Sequence, residues 1–180
     1  MDNRGRIGVD ADMRALVVEV SGSIAADIET VFDVLARIDL RTIMQGYGPL
    51  PAVEGVEDQT GRWDAIGESR IIRLADGSGM LETLTAVDRP RHFAYTISHP
   101  TNALRFLIAT FRGTWTFEQA GDADSGPIVK AIWRSELRPR SILTWPLTWL
   151  IVKRFWQPYM VAALARASQR VVEACDRSAG

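Results

Sequence analysis

The 180-residue chain has a single cysteine, Cys175. One thiol excludes an internal disulfide and any metal site built from several cysteines. Histidine is almost as scarce, with only His92 and His99. The two lie seven positions apart in one expected strand, on opposite faces, so they cannot share a metal ion. No metal and no other cofactor is expected. No Gly-x-Ser-x-Gly and no phosphate loop occurs, which leaves a nucleophilic serine and nucleotide chemistry without support. Lysine is limited to Lys130 and Lys153, and the formal net charge is -1. That balance gives no broad attraction for nucleic acid. The longest apolar run, Ile142 to Val152, falls short of the roughly 20 residues that span a bilayer. The N-terminus is polar and carries no signal-peptide pattern, so the expectation is a cytoplasmic protein.

What is present is an ordinary globular composition, 47% hydrophobic and 24% charged, in a length suited to one domain with a full core. Residues 1–13 are polar and read as a flexible tail, and 14–177 as a single domain. Leu16, Val18, Val20 and Gly22 alternate with polar neighbours and predict a first strand. Asp27 is placed to cap a helix carrying Ile28, Val31, Phe32, Leu35 and Ile38 at helical spacing. A second short helix fits Leu40 to Gln45, and Gly46 to Pro51 reads as a loop. Strands are then expected near 52–59, 66–75, 79–88, 91–99, 108–119 and 127–138. Short turns such as Asp76-Gly77-Ser78-Gly79 join them, and the result is an antiparallel meander.

The chain closes on one long helical pattern. Its first half, Ile142 to Val152, is almost wholly apolar. Its second half is amphipathic, with Tyr159, Met160, Ala163, Leu164, Ala167 and Val171 recurring at helical spacing. Three tryptophans, Trp145, Trp149 and Trp156, give this segment more apolar surface than one sheet face covers. One face is therefore assigned to the sheet and a pocket. The other is left to a second copy of the chain in a homodimer, a membrane surface or a movable lid. Pro146 fits a first helical turn, whereas Pro158 should kink or break the helix between Trp156 and Tyr159.

Strand, two short helices, six strands and one long helix is an order that resembles the helix-grip fold of the Bet v 1-like, START-like (SRPBCC) superfamily. The segment Ile24-Ala25-Ala26-Asp27-Ile28-Glu29-Thr30-Val31-Phe32 is similar to its strand-to-helix entry. Gly67-Glu68-Ser69-Arg70, Asp76-Gly77 and Leu81-Glu82-Thr83-Leu84-Thr85-Ala86-Val87-Asp88-Arg89-Pro90 are similar to the bacterial polyketide cyclase/dehydrase-like branch. Gly61 and Gly67 do not form the glycine-rich loop of the plant hormone-binding group. The resemblance implies an α+β helix-grip fold: a seven-stranded antiparallel sheet wrapped around a long C-terminal helix, with two short helices after strand 1. It also implies a deep cavity between sheet and helix for a small hydrophobic molecule.

Strand alternation indicates what would face that cavity. Phe111, Gly113, Trp115 and Phe117 share one face of their strand, Val129, Ala131, Trp133 and Ser135 one face of the next, and Phe93, Tyr95 and Ile97 one face of a third. The opposite faces are polar, so these sets should point inward. The same reasoning turns Arg70 inward with Ile72 and Leu74, and Glu82 inward with Leu84 and Ala86. A guanidinium and a carboxylate in one cavity would need each other. The expected lining is thus Arg70, Glu82, Tyr95, Phe111, Trp115, Phe117 and Trp133, with Trp149 and Tyr159 added from the helix. The plain alternative is that the aromatics are core and the pair is structural. Three functions follow: a carrier of a hydrophobic or amphipathic ligand; a cyclase or dehydratase with Glu82, Arg70 or His99 as acid–base candidates; or an interaction protein docking through its tryptophan-rich helix.

Overall fold

The computed structural model describes residues 6–9, 15–121 and 126–178. Nine strands form one antiparallel sheet in the order β1-β2-β9-β8-β7-β6-β5-β4-β3. They are β1 (Arg6–Val9), β2 (Leu16–Ile24), β3 (Gln45–Tyr47), β4 (Leu50–Glu57), β5 (Ser69–Leu74), β6 (Gly79–Asp88), β7 (His92–Ser98), β8 (Ile108–Gln119) and β9 (Val129–Pro139). Helices α1 (Ile28–Ala36) and α2 (Leu40–Ile43) follow β2, α3 (Leu104–Leu107) precedes β8, and α4 (Trp145–Ile151) and α5 (Gln157–Ser178) end the chain. The sheet curls around α5, as the helix-grip resemblance implied.

Two strands were not expected. Arg6–Val9 pairs with β2 in place of a loose tail; the remainder of the expected 1–13 tail lies outside the described residues. Gln45–Tyr47 pairs with β4, with Tyr47 opposite Leu50. Gly46 to Pro51 is therefore a tight hairpin. Gly46 and Gly48 supply its positive φ values of 84° and 57°, a region that glycine enters without steric cost.

Alternation holds along most of the meander. In β9 the residues Val129, Ala131, Trp133, Ser135 and Leu137 are buried. In β8 Gly113, Trp115 and Phe117 are buried and Arg112 and Glu118 exposed. The register shifts between Val53 and Gly55 in β4, between Ile108 and Thr110 at the start of β8, and in β6. A bulge between Leu84 and Ala86 sets Ala86 opposite Ala94 and Val87 opposite Phe93. Past it Val87 packs on the core in place of Ala86, because one extra residue reverses the faces.

Asp27 caps α1, its carboxylate accepting from the Thr30 backbone N–H at 2.9 Å. The last helix is not broken at Pro158. α4 runs through a π-helical turn, Val152–Trp156, directly into α5. The Gln157 N–H reaches back to the Val152 carbonyl, and this widened turn lies just ahead of the proline. Widening accommodates a residue that lacks an N–H and crowds the preceding turn. Pro146 sits in the first turn of α4, as expected. In α5 Tyr159, Met160, Ala163, Leu164, Ala167 and Val171 are buried.

Candidate functional site

Side chains from β5 to β9, α2, the π-helical turn and the start of α5 enclose a cavity of about 720 Å³. Its walls are mainly apolar. Exposed lining residues, among them Asp76, His99, Arg105, Thr110 and Arg140, edge its mouth.

The aromatic wall follows from register. Phe93, Trp115 and Trp133 lie directly opposite one another across three neighbouring strands. Trp115 and Trp133 stack with centroids 4.9 Å apart and planes 10° from parallel, and Phe93 stacks on Trp115 at 6.1 Å. Such pairs contribute roughly 0.5–1.5 kcal/mol each beyond their burial. Trp156 meets Phe111, Trp133 and Tyr159 edge-on.

Tyr95 crosses β8 at Gly113. A Cβ at that glycine would lie 2.1 Å from the Tyr95 ring carbon that carries the hydroxyl. The missing side chain thus lets the ring pass over the neighbouring strand and reach β9, where the Trp133 indole N–H donates to the Tyr95 hydroxyl at 3.0 Å. Burial, and then the nearby Glu82 carboxylate, push the Tyr95 hydroxyl well above its ordinary pKa. It therefore keeps its proton.

Arg70 and Glu82 are directly paired across β5 and β6. The Arg70 Nε donates to Glu82 Oε2 at 2.5 Å, with side-chain exposures of only 8% and 5%. The guanidinium also lies 3.9 Å from the centroid of the Trp63 ring. Burial pushes the Glu82 carboxyl above its usual range, and Arg70 pulls against that rise. The pair is a buried ion pair in a mainly apolar wall, satisfied internally as a buried charge must be.

Arg70, Glu82, Tyr95, Phe111, Trp115, Trp133, Tyr159 and His99 all line the cavity. Two expected lining residues do not. Phe117 is core, packed against Phe32, Phe93 and Trp115. Trp149 lies outside the lining, half-buried against the core, and carries Lys153 over its ring at 4.8 Å. His99 stands exposed at the mouth with φ of 51°, its ring 3.1 Å from the Ser98 hydroxyl. It lies apart from the Arg70–Glu82 pair, which belongs to the buried wall. Tyr159 ties helix to sheet: its hydroxyl accepts from the Gly46 N–H at 3.0 Å and donates to the Pro51 carbonyl at 3.1 Å.

Sequence reasoning missed Trp63. It sits in the loop between β4 and β5, with φ of 64° and 3% exposure, and lines the cavity. The Glu68 carboxylate shapes that loop by accepting from the backbone N–H groups of Arg62, Asp64 and Ala65 at 3.2, 2.7 and 3.3 Å. The one available signal was a lone aromatic in a polar stretch. Trp156 is also in the lining, and its indole N–H is buried without a partner. Among the described residues no three His, Cys, Asp or Glu side chains converge as a metal site would require.

Solved structures share this architecture at low sequence identity. XoxI from Bacillus cereus is 14% identical, with 88% of this chain and 96% of that chain covered and a TM-score of 0.60. Norcoclaurine synthase from Thalictrum flavum, in complex with dopamine and hydroxybenzaldehyde, is 15% identical over 88% and 87%, with a TM-score of 0.60. Major latex-like protein 151 from Panax ginseng is 12% identical over 86% and 96%, with a TM-score of 0.55. No curated protein matches the sequence. The sequence pattern of one family covers residues 15–172, from the first long strand almost to the end of the last helix. The chain belongs to the family described as polyketide cyclase / dehydrase and lipid transport.

Proposed function

We propose that the protein binds a small hydrophobic or amphipathic molecule in the cavity between the curled sheet and the C-terminal helix. The observation that carries this reading is a cavity of about 720 Å³ with an aromatic wall and a few convergent polar groups. That size and lining suit a ligand site, which is usually about 300–1,000 Å³ and mostly apolar. The ligand's apolar body would lie on Trp115, Trp133 and Phe111. A carbonyl, hydroxyl or carboxylate on it would meet the Arg70–Glu82 pair and the Tyr95 hydroxyl. Norcoclaurine synthase, of the same fold, holds the aromatic molecules dopamine and hydroxybenzaldehyde, and this supports a small aromatic or polyketide-like ligand here. Titration with aromatic polyketides and fatty acids, read by quenching of the buried tryptophans, tests the proposal. Saturable quenching that Trp115→Ala removes, with the fold intact, is expected. No quenching by either class would overturn it.

A second reading, acid–base catalysis at the same place, is favoured by one observation. Burial pushes Glu82 up near the Tyr95 hydroxyl, so a carboxyl suited to exchanging a proton has beside it a hydroxyl that keeps its own proton and can act as a hydrogen-bonding group. Glu82→Gln separates the readings: turnover lost with binding kept assigns catalysis, and binding kept with no turnover in either form assigns a carrier.

A further inference from the structure

Five large apolar side chains stand in water beside the cavity mouth. Phe106 of α3 is 61% exposed, Ile142 and Leu143 before α4 are 79% and 88% exposed, and Leu147 and Leu150 of α4 are 51% and 52% exposed. They make one patch. The Arg140 backbone N–H and the Thr144 hydroxyl both donate to the Leu107 carbonyl, at 2.9 and 3.4 Å, which ties the Ile142–Leu143 turn to the end of α3. Leu147 and Leu150 follow three apart and so share a face of α4, with Leu143 in the turn just before it. Contiguous apolar surface of this kind marks a docking site.

Charge identifies the occupant. Arg105, Arg140, Lys153 and Arg154 are exposed around these residues. Arg105 lies 4.6 Å over the Phe106 ring and Arg154 5.4 Å over the Phe155 ring. Among the described residues none of the four cations has a carboxylate partner. The sequence carries no Asp or Glu from Arg89 to Phe117 and none from Leu137 to Val172. On the neighbouring hairpin the exposed Asp76 keeps its negative charge, since hydrogen bonds from the Ser78 hydroxyl and backbone N–H hold its carboxyl below the usual range. A chain of net charge -1 thus presents four cations around exposed aliphatics, with Asp76 the one exposed carboxylate in the cavity lining among the described residues. A second copy docked by two-fold symmetry would set this rim against itself.

We infer that the patch docks on a lipid surface bearing anionic headgroups. Ile142, Leu143, Leu147, Leu150 and Phe106 enter the boundary between headgroups and acyl chains, and the four cations meet the headgroups. The arrangement is interfacial; no helix among the described residues is long and apolar enough to cross a membrane. In this orientation the cavity mouth, edged by Arg105 and Arg140, faces the lipid. Docking uses side chains other than the Arg70–Glu82 and Tyr95 anchor, and it stands or falls separately from ligand uptake.

The test is co-sedimentation of the full chain with vesicles of phosphatidylcholine alone and of phosphatidylcholine mixed with phosphatidylglycerol. The chain is expected to pellet with the mixed vesicles, much less with the neutral ones, and to be released by high salt. Each cation near an anionic surface contributes about fivefold in binding, so Arg140→Glu with Lys153→Glu should weaken it by more than about tenfold. Ile142→Ser with Leu143→Ser should weaken it at least as much, and all four sites are exposed, so melting temperatures should hold. No pelleting with mixed vesicles, equal pelleting with neutral ones, or unchanged binding in both double variants would overturn the inference. So would a dimer that Leu143→Asp dissolves, which would assign the patch to a second copy of the chain.

Discussion

Replacing Arg70 by methionine keeps much of the side-chain volume and removes the one cation paired with Glu82 among the described residues. The carboxylate would then be buried at 4% exposure without its 2.5 Å partner, and the stacking on Trp63 at 3.9 Å would go with it. Breaking a buried pair from one side typically costs about 3–5 kcal/mol, whereas replacing both partners by apolar groups is often close to neutral. Arg70→Met should therefore lose about 3–5 kcal/mol at neutral pH, and Arg70→Met with Glu82→Leu should recover most of it. The pH dependence has a definite sign. Burial raises the folded pKa of Glu82 and Arg70 opposes the rise. A raised carboxyl contributes stability that is fully present below its unfolded pKa, about 4.3, and is lost as pH rises through the folded value. Removing Arg70 moves that folded value further up, so the penalty should grow from acidic to neutral pH. Urea unfolding followed by tryptophan fluorescence at several pH values measures this. A loss under about 1 kcal/mol, or a double variant as unstable as the single, would refute the argument.

Three further outcomes follow from contacts described above. Gly113→Ala puts a Cβ into the Tyr95 ring, so it should cost about 1–3 kcal/mol, as overpacking does, and shift the Trp133 fluorescence as its hydrogen bond is lost. Tyr159→Phe leaves the Gly46 N–H without its acceptor and should cost about 1–3 kcal/mol, with faster amide exchange in the β3–β4 hairpin. Arg89→Ala breaks contacts to Asp33 and Glu29 whose side chains are 37% and 57% exposed. Its thermal unfolding midpoint should hardly move, since exposed pairs are screened.

The inward sets of β7, β8 and β9 were legible because each of those strands has one buried face, and period-two patterning records it directly. The Arg70–Glu82 pairing was legible for the same reason. Patterning could not report the bulge that exchanges Ala86 for Val87, since a single extra residue leaves composition unchanged. Gly46, Gly48 and Pro49 look like loop residues, and the hairpin uses them as a turn, so β3 was hidden by its own turn chemistry. Trp149 was misplaced for a different reason. An almost wholly apolar segment carries no phase, and the π-helical turn Val152–Trp156 breaks the angular register that α5 would otherwise extend back to α4. Trp63 reaches the cavity through a non-periodic loop held by Glu68, and no periodicity announces that.

The proposed function requires the cavity to take up a small molecule. Native mass spectrometry of the protein as purified, followed by the same measurement after denaturation, tests it most directly. A bound mass on the folded chain that denaturation releases is predicted, and its absence from Trp115→Ala would place it in the cavity. An unliganded chain that also acquires no mass from an excess of aromatic polyketides or fatty acids would contradict the account.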